Sequence, residues 1–198
     1  MSLKAFNKWA TDSIKVEDQG LVEYISLEPR IVPKTGARYI GNRFHKSKVF
    51  IIERLMNKLM IPGHKAKKHF KTSYHMTGKS TTSYKIMFDV LKQIEQKLSM
   101  NPIEVVAKAV ENAAPREEIV SIEYGGARYP KAVECSPQRR VDLALRWLTQ
   151  GSFHKRFNTK KSSSAGLAEE LIAAYKLSPN SNAIAKKLEL ERQADASR

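Results

Sequence analysis

Apolar positions in this chain change period along its length, and each change marks a different element. Over 47–60, Val49, Ile52, Met56 and Leu59 recur at helical spacing and stop before Pro62-Gly63, which predicts a helix. A longer helix is predicted over 81–98, where Tyr84, Met87, Phe88, Leu91, Ile94 and Leu98 share one stripe. Asn101-Pro102-Ile103-Glu104 opens a third, with a capping residue, a proline at the first helical position and Glu104 in the first turn. Val106, Ala107, Val110 and Ala114 line its apolar side. Ser136-Pro137 starts a fourth, whose buried face is Val141, Ala144, Leu145 and Leu148, leaving Arg139, Arg140 and Arg146 outside. Serines 162–164 offer caps for a helix through Leu177 with Leu167, Leu171, Ala174 and Tyr175 spaced for burial. Ser178-Pro179-Asn180 then leads into a charged helix over 182–196.

Between the third and fourth helices the period falls to two. Gly125-Gly126 reads as a two-residue hairpin turn, which puts Tyr124 opposite Ala127, Glu123 opposite Arg128 and Ile122 opposite Tyr129. Val120, Ile122, Tyr124 and Tyr129 then share one face, and Glu123 and Arg128 pair on the other. A lone two-stranded ribbon is marginal in water, so it needs a supporting surface. The first 38 residues read as an irregular arm broken by Gly20, Pro29, Pro33 and Gly36, with a strand-like apolar run only at 21–27. The expected architecture is mainly α: a helical bundle with a projecting two-stranded β-hairpin at about 117–135 and an irregular basic N-terminal extension. The extension takes 1–40, and 41–198 form one helical domain.

Charge changes the picture from fold to partner. Thirty-five Lys and Arg stand against 20 Asp and Glu, a net charge of +15. Segment 30–79 holds thirteen basic residues and one acid, Glu53. That one-sidedness exceeds what solubility needs and reads as the footprint of a polyanion, with 41–198 as its binding domain. The candidate RNA contacts are Arg43, Lys46, Lys48, Lys58, His64, Lys65, Lys67, Lys68 and Lys71 in the basic stretch, Arg128 and Lys131 on the ribbon, and Arg139, Arg140, Arg146, Lys155 and Arg156 after it. Arg54 and Lys58 are read as pointing away from the apolar stripe of the first helix, and 155–164 as a basic loop. Tyr39, Phe44, Phe70, Tyr74, Phe153 and Phe157 interleave the charge and are able to stack on unpaired bases, though core burial is the default for each. Tyr124, Gly125, Gly126 and Tyr129 form the hairpin tip.

Catalytic and metal chemistry find little support. His64, His69 and His75 with Cys135 lack paired zinc-ligand spacing, and there is no CxxC or HExxH. Gly125-Gly126 lacks the context of a phosphate-cradling loop. One cysteine cannot build a disulfide framework, which fits a reducing compartment, and Cys135 is read as a packing residue. No segment is apolar and long enough to span a bilayer, and the start does not read as a signal peptide. The expectation is no enzyme, no cofactor, no metal and no membrane.

The order GGA-aromatic, short strand, Ser-Pro-Gln-Arg-Arg and LALRWL resembles the small-subunit ribosomal protein seven family. NPIEVVAKAVENAAPREE before it and LAEELIAAYKLSPNSNAIAKKLELERQADASR after it resemble the archaeal and eukaryotic branch. The resemblance runs from about Ile40 to the C-terminus; SFHKRFNTKK and the first forty residues match loosely. It implies a cytoplasmic constituent of the small ribosomal subunit that binds ribosomal RNA of the subunit head, with the paired Arg139 and Arg140 matching the family motif. It also implies a ribbon reaching toward messenger RNA and exit-site tRNA, and small-subunit protein eleven as a protein neighbour. A free-standing nucleic-acid-binding regulator is the alternative that charge and ribbon alone also fit.

Overall fold

The structure, a computed structural model, describes residues 3–36, 38–65, 70–71, 73 and 76–198. Six α-helices are present among them: α1 (Ile51–Leu59), α2 (Ser80–Leu98), α3 (Pro102–Ala113), α4 (Pro137–Arg156), α5 (Ser163–Tyr175) and α6 (Asn182–Asp195). Two small antiparallel sheets accompany them, β1 (His64–Lys65) with β2 (Phe70–Lys71), and β3 (Glu117–Tyr124) with β4 (Ala127–Glu134). The expected mainly helical bundle with a β-hairpin is therefore the observed fold.

Local chemistry sets most helix starts. Asn101 Oδ1 accepts from the Ile103 amide at 3.1 Å, Ser162 Oγ from Ala165 at 3.1 Å and Ser181 Oγ from Ile184 at 3.4 Å, each satisfying a backbone donor that the first turn leaves open. Ser136 occupies the same position before α4 with Pro137 behind it, but its side chain makes no capping bond. Helix α5 packs against α2, α3 and α4 and buries Leu167, Ala168, Leu171 and Ala174 completely. Around it close Leu91 and Ile94 of α2, Val106 and Val110 of α3, and Val141, Leu145 and Leu148 of α4.

Helix α4 approaches its neighbours so closely at Gly151 that a β-carbon there would lie 2.8 Å from the Glu170 carboxylate and 2.9 Å from Asn182 Cβ. Glu170 is fully buried beneath it. Its Oε1 accepts from Ser181 Oγ at 2.8 Å and the Ala183 amide at 3.1 Å, while Lys155 Nζ stands 2.7 Å from Oε2. A buried acid thus meets both the positive end of α6 and a counter-charge from α4. The expected loop over 155–164 is corrected here: Lys155 and Arg156 form the last turn of α4, held by Glu170 and by Ser163 respectively.

The N-terminal arm is irregular in backbone, but Ala5, Phe6, Trp9, Leu21 and Ile25 belong to the same core as the helices. Phe6 meets Tyr84 and Phe88 of α2 at ring-centroid distances of 5.4 and 6.1 Å, and Trp9 meets Phe88 at 6.0 Å. The strand expected at 21–27 is instead a single 3-10 turn, Val22–Tyr24, with no partner strand beside it among the described residues. Leu21 and Ile25 point inward from either side of that turn while Val22 is exposed. A run of apolar residues thereby becomes a helical turn whose two flanks are buried.

Candidate nucleic-acid interface

The expected hairpin register is the observed one: Tyr124 pairs with Ala127, Glu123 with Arg128, Ile122 with Tyr129 and Glu117 with Glu134. Gly125 and Gly126 take φ of +59° and +83°, the left-handed conformations that make glycine the natural choice at both turn positions. The ribbon is exposed from Val120 to Lys131, and its apolar face stays in solvent, with Tyr124 81% and Tyr129 59% accessible. Arg128 Nε lies 3.5 Å from Glu123 Oε2 across the strands, and Arg128 and Lys131 are both exposed.

Only the base of the ribbon is held. β3 lies against α6, Arg198 Nη2 reaches Glu117 at 2.6 Å, and the Cys135 amide donates to Arg116 at 2.9 Å. Arg139 grips Glu118 with two bonds, Nε to Oε1 at 2.5 Å and Nη2 to Oε2 at 2.6 Å. Burial, helped by the adjacent Glu118, pushes the Cys135 thiol up to about 11, so it is a protonated packing group rather than a nucleophile.

The second basic surface lies where α4 meets α1 and the 3-10 turn His45–Lys48. Arg139, Asp142 and Arg146 recur at three and four residues and so share one stripe of α4. Opposite them, Lys46 ion-pairs with Asp142, and Arg54 Nη2 lies 3.1 Å from the other carboxylate oxygen. Gln138 Nε2 donates to Ser47 Oγ at 3.2 Å and fixes the turn on the helix. Burial lowers the pKa of the half-buried Lys58; Asp142 opposes that shift, while Arg146, Lys46 and Arg54 add to it. One carboxylate among four cations leaves this face strongly positive. Burial pushes Asp142 up, yet its pairs with Lys46 and Arg54 outweigh that and hold the carboxyl below its ordinary value.

Two arginines expected outside are inside. Arg54 is buried, donating from Nη1 to the Tyr24 carbonyl at 2.9 Å as well as to Asp142. Arg140 is also buried, with Nε donating to the Pro115 carbonyl at 3.0 Å and Nη2 to Asp18 Oδ2 at 2.6 Å. Periodicity places both on the polar side of a helix, but segments distant in sequence fold over those sides and bring acceptors.

Arg43, Lys46, Lys48 and Arg146 are exposed, and Lys155 and Arg156 half-buried. His64 and Lys65 pair with Lys71 and Phe70, so what reads as a basic loop is a short hairpin at its ends. Lys67 and Lys68, with His69, Tyr74 and His75, lie outside the described residues. Phe44 was one of several aromatics in the sequence; the structure sets it apart. It takes φ +58°, uncommon for a bulky side chain, and stands 68% exposed beside Arg43 and Lys46, next to Tyr39 stacked on His45 at 3.8 Å. Asp142, whose sequence position makes it a candidate ion-pair partner of Arg139 and Arg140, pairs instead with Lys46 and Arg54.

Among the described residues no three His, Cys, Asp or Glu side chains converge as a metal site would require, and no helix is long and apolar enough to cross a membrane. A helical body with a clustered cationic face and an exposed ribbon presents the kind of surface that a polyanion recognises. Residues 22–198 match the family described as Ribosomal protein S7p/S5e, and the chain belongs to it. It is 50% identical over 198 residues to small ribosomal subunit protein uS7 of Nanoarchaeum equitans, covering all of both chains. With uS7 of Methanosphaera stadtmanae it shares 43% over 194 residues, 98% of each chain, and with that of Archaeoglobus fulgidus 42% over 196 residues, 99% of this chain and 95% of the relative. Membership makes it a structural constituent of the cytoplasmic small ribosomal subunit, not an enzyme.

Proposed function

We propose that this protein binds ribosomal RNA of the subunit head and nucleates its folding, using the α1–α4 face as its main anchor. The observation that carries this reading is the packing of Lys46, Arg54, Lys58 and Arg146 around the single carboxylate of Asp142, on a surface flanked by exposed Arg43 and Lys48. Such a face neutralises phosphates and releases counterions, a term that depends on salt more than on sequence. Arg139, on the same stripe of α4, widens it; Lys155, Arg156 and the basic residues His64, Lys65, Lys67, Lys68 and Lys71 add to the charge offered to the same polyanion. Phe44 is presented for stacking on an unpaired base. Residues 1–40 act as an extension that braces a single RNA-binding domain over 41–198.

The ribbon serves a different partner. Arg128 and Lys131 with Tyr124 and Tyr129 stand away from the helices, and the resemblance to the family supports reading this arm as one that reaches toward messenger RNA and exit-site tRNA. The same resemblance supports small-subunit protein eleven as a protein neighbour. The test is salt-dependent binding of a head-domain RNA fragment. Lys58→Gln with Arg146→Gln reduces the slope of log K against log salt by roughly one to two units, at about 0.7–0.9 per phosphate contact. Loss of the ribbon tip leaves that slope unchanged. A slope insensitive to the double substitution refutes the anchor.

A further inference from the structure

Segment 32–36 of the arm bridges α1 and the start of α2, and beneath it lies a groove of about 660 Å³ walled by Val32, Pro33, Met56, Met60 and Tyr84. Glu53 forms part of its lining. This is the one acid in segment 30–79, and it is only 4% exposed. The Thr35 amide and hydroxyl both donate to its Oε1, each at 2.7 Å. Its Oε2 has no hydrogen-bond or ion-pair partner among the described residues, although Lys34 lines the same groove. One oxygen is thus held by Thr35 while the other stays open to the groove with no fixed counter-charge, which leaves it available to a cation.

We propose that this groove is a socket for a lysine or arginine side chain presented by an extended segment of a neighbouring protein. The chemistry selects the occupant. A phosphate is repelled by Glu53, and a purely apolar group leaves Oε2 unsatisfied. Lysine and arginine combine an apolar stem, which lies against Met56, Met60 and Tyr84, with a charged head that reaches the free oxygen. In a ribonucleoprotein the large neighbours are RNA and protein, and protein is the one that carries a cation on an apolar stem. The inference rests on family membership and on this groove, and it is independent of the RNA contacts proposed for the α1–α4 face. It assigns to an otherwise basic region an acid-floored protein contact.

The test uses the full-length protein with 13C-methyl methionine, observed by NMR. A capped peptide with one lysine between leucines is titrated in, and the same peptide with norleucine or glutamate at that position serves as control. The expected result is that the Met56 and Met60 methyl signals move with the lysine peptide, at least about tenfold more tightly than with norleucine, and do not move with glutamate. Glu53→Gln, which keeps an acceptor for Thr35, abolishes the preference for lysine over norleucine. Because the three peptides are compared on the unaltered protein, the result stands even if that variant folds poorly. Equal binding of norleucine and lysine, no shift at millimolar peptide, or the same shifts from an RNA oligonucleotide overturns the proposal.

Discussion

Arg140 Nη2 donates to Asp18 Oδ2 at 2.6 Å across 122 residues of sequence, and this bond fastens the N-terminal arm to α4. The same guanidinium holds the Pro115 carbonyl where the chain leaves α3 for the ribbon, and Glu111 of α3 accepts from the Asp18 amide. Arm, α3, ribbon base and α4 therefore meet at one side chain.

Removing Arg140 leaves Asp18 without its counter-charge and Pro115 without its donor. Arg140→Ala is expected to destabilise the protein by about 3 kcal/mol, in the range for breaking one half of a largely buried pair. Arg139→Ala, whose side chain is half-exposed, should cost about 1 kcal/mol or less while weakening RNA binding. Urea unfolding together with RNA titration of both variants separates the two roles.

Acid should loosen the same junction. Burial pushes Asp18 up, but the hydrogen bond and charge of Arg140 prevail and hold its carboxyl below the ordinary value of 3.8; Asp142 is lowered likewise by Lys46 and Arg54. A carboxylate depressed in the folded state contributes stability that is complete above its unfolded pKa and is lost as pH falls through the folded one. Stability should therefore hold steady down to about pH 4 with respect to these groups and decline below it. The variant Asp18→Asn with Asp142→Asn should be less stable at neutral pH and lose less on acidification, as urea midpoints from about pH 6 to about pH 2 will show.

Gly151→Ala places a methyl 2.8 Å from the Glu170 carboxylate and 2.9 Å from Asn182 Cβ. The helix must shift, which costs about 1–3 kcal/mol. Thermal unfolding measures it directly, and a variant as stable as the parent would mean that α4 and α6 separate freely at this point.

Replacing 124–128 by a closed Asn-Gly turn removes exposed residues that touch little of the core. Stability should change by no more than about 0.5 kcal/mol. Incorporation into subunits should remain normal while reading-frame or codon fidelity changes. Failure of a normally folded variant to assemble would make the ribbon an assembly anchor instead.

What was legible in the sequence follows the range of the interactions involved. The hairpin register was readable because two adjacent glycines fix the turn and alternation fixes the faces. Helices α3 and α5 were readable because Asn101 and Ser162 satisfy donors two and three residues away. Arg54 and Arg140 were misplaced for the opposite reason. Their polar helical positions predict solvent, but Tyr24, Asp142 and Asp18 arrive from 30, 88 and 122 residues away to cover them. The 21–27 run was likewise ambiguous, since burial of Leu21 and Ile25 is compatible with a turn as well as with a strand. The Glu53 groove carried no local signal beyond a single acid amid basic residues.

The exposed ribbon has a consequence for the protein before it reaches its subunit. Among the described residues its two strands have no further strand beside them, and Val120, Ile122, Tyr124 and Tyr129 lie open on one face. Unpaired backbone with an apolar surface is a template on which another extended chain can add, including the ribbon of a second copy. Self-association is the expected behaviour of free molecules at high concentration, and the exposed charge of Lys131 on the edge strand opposes it. The exposure that leaves the ribbon open to a partner is therefore also what makes the unassembled protein a liability.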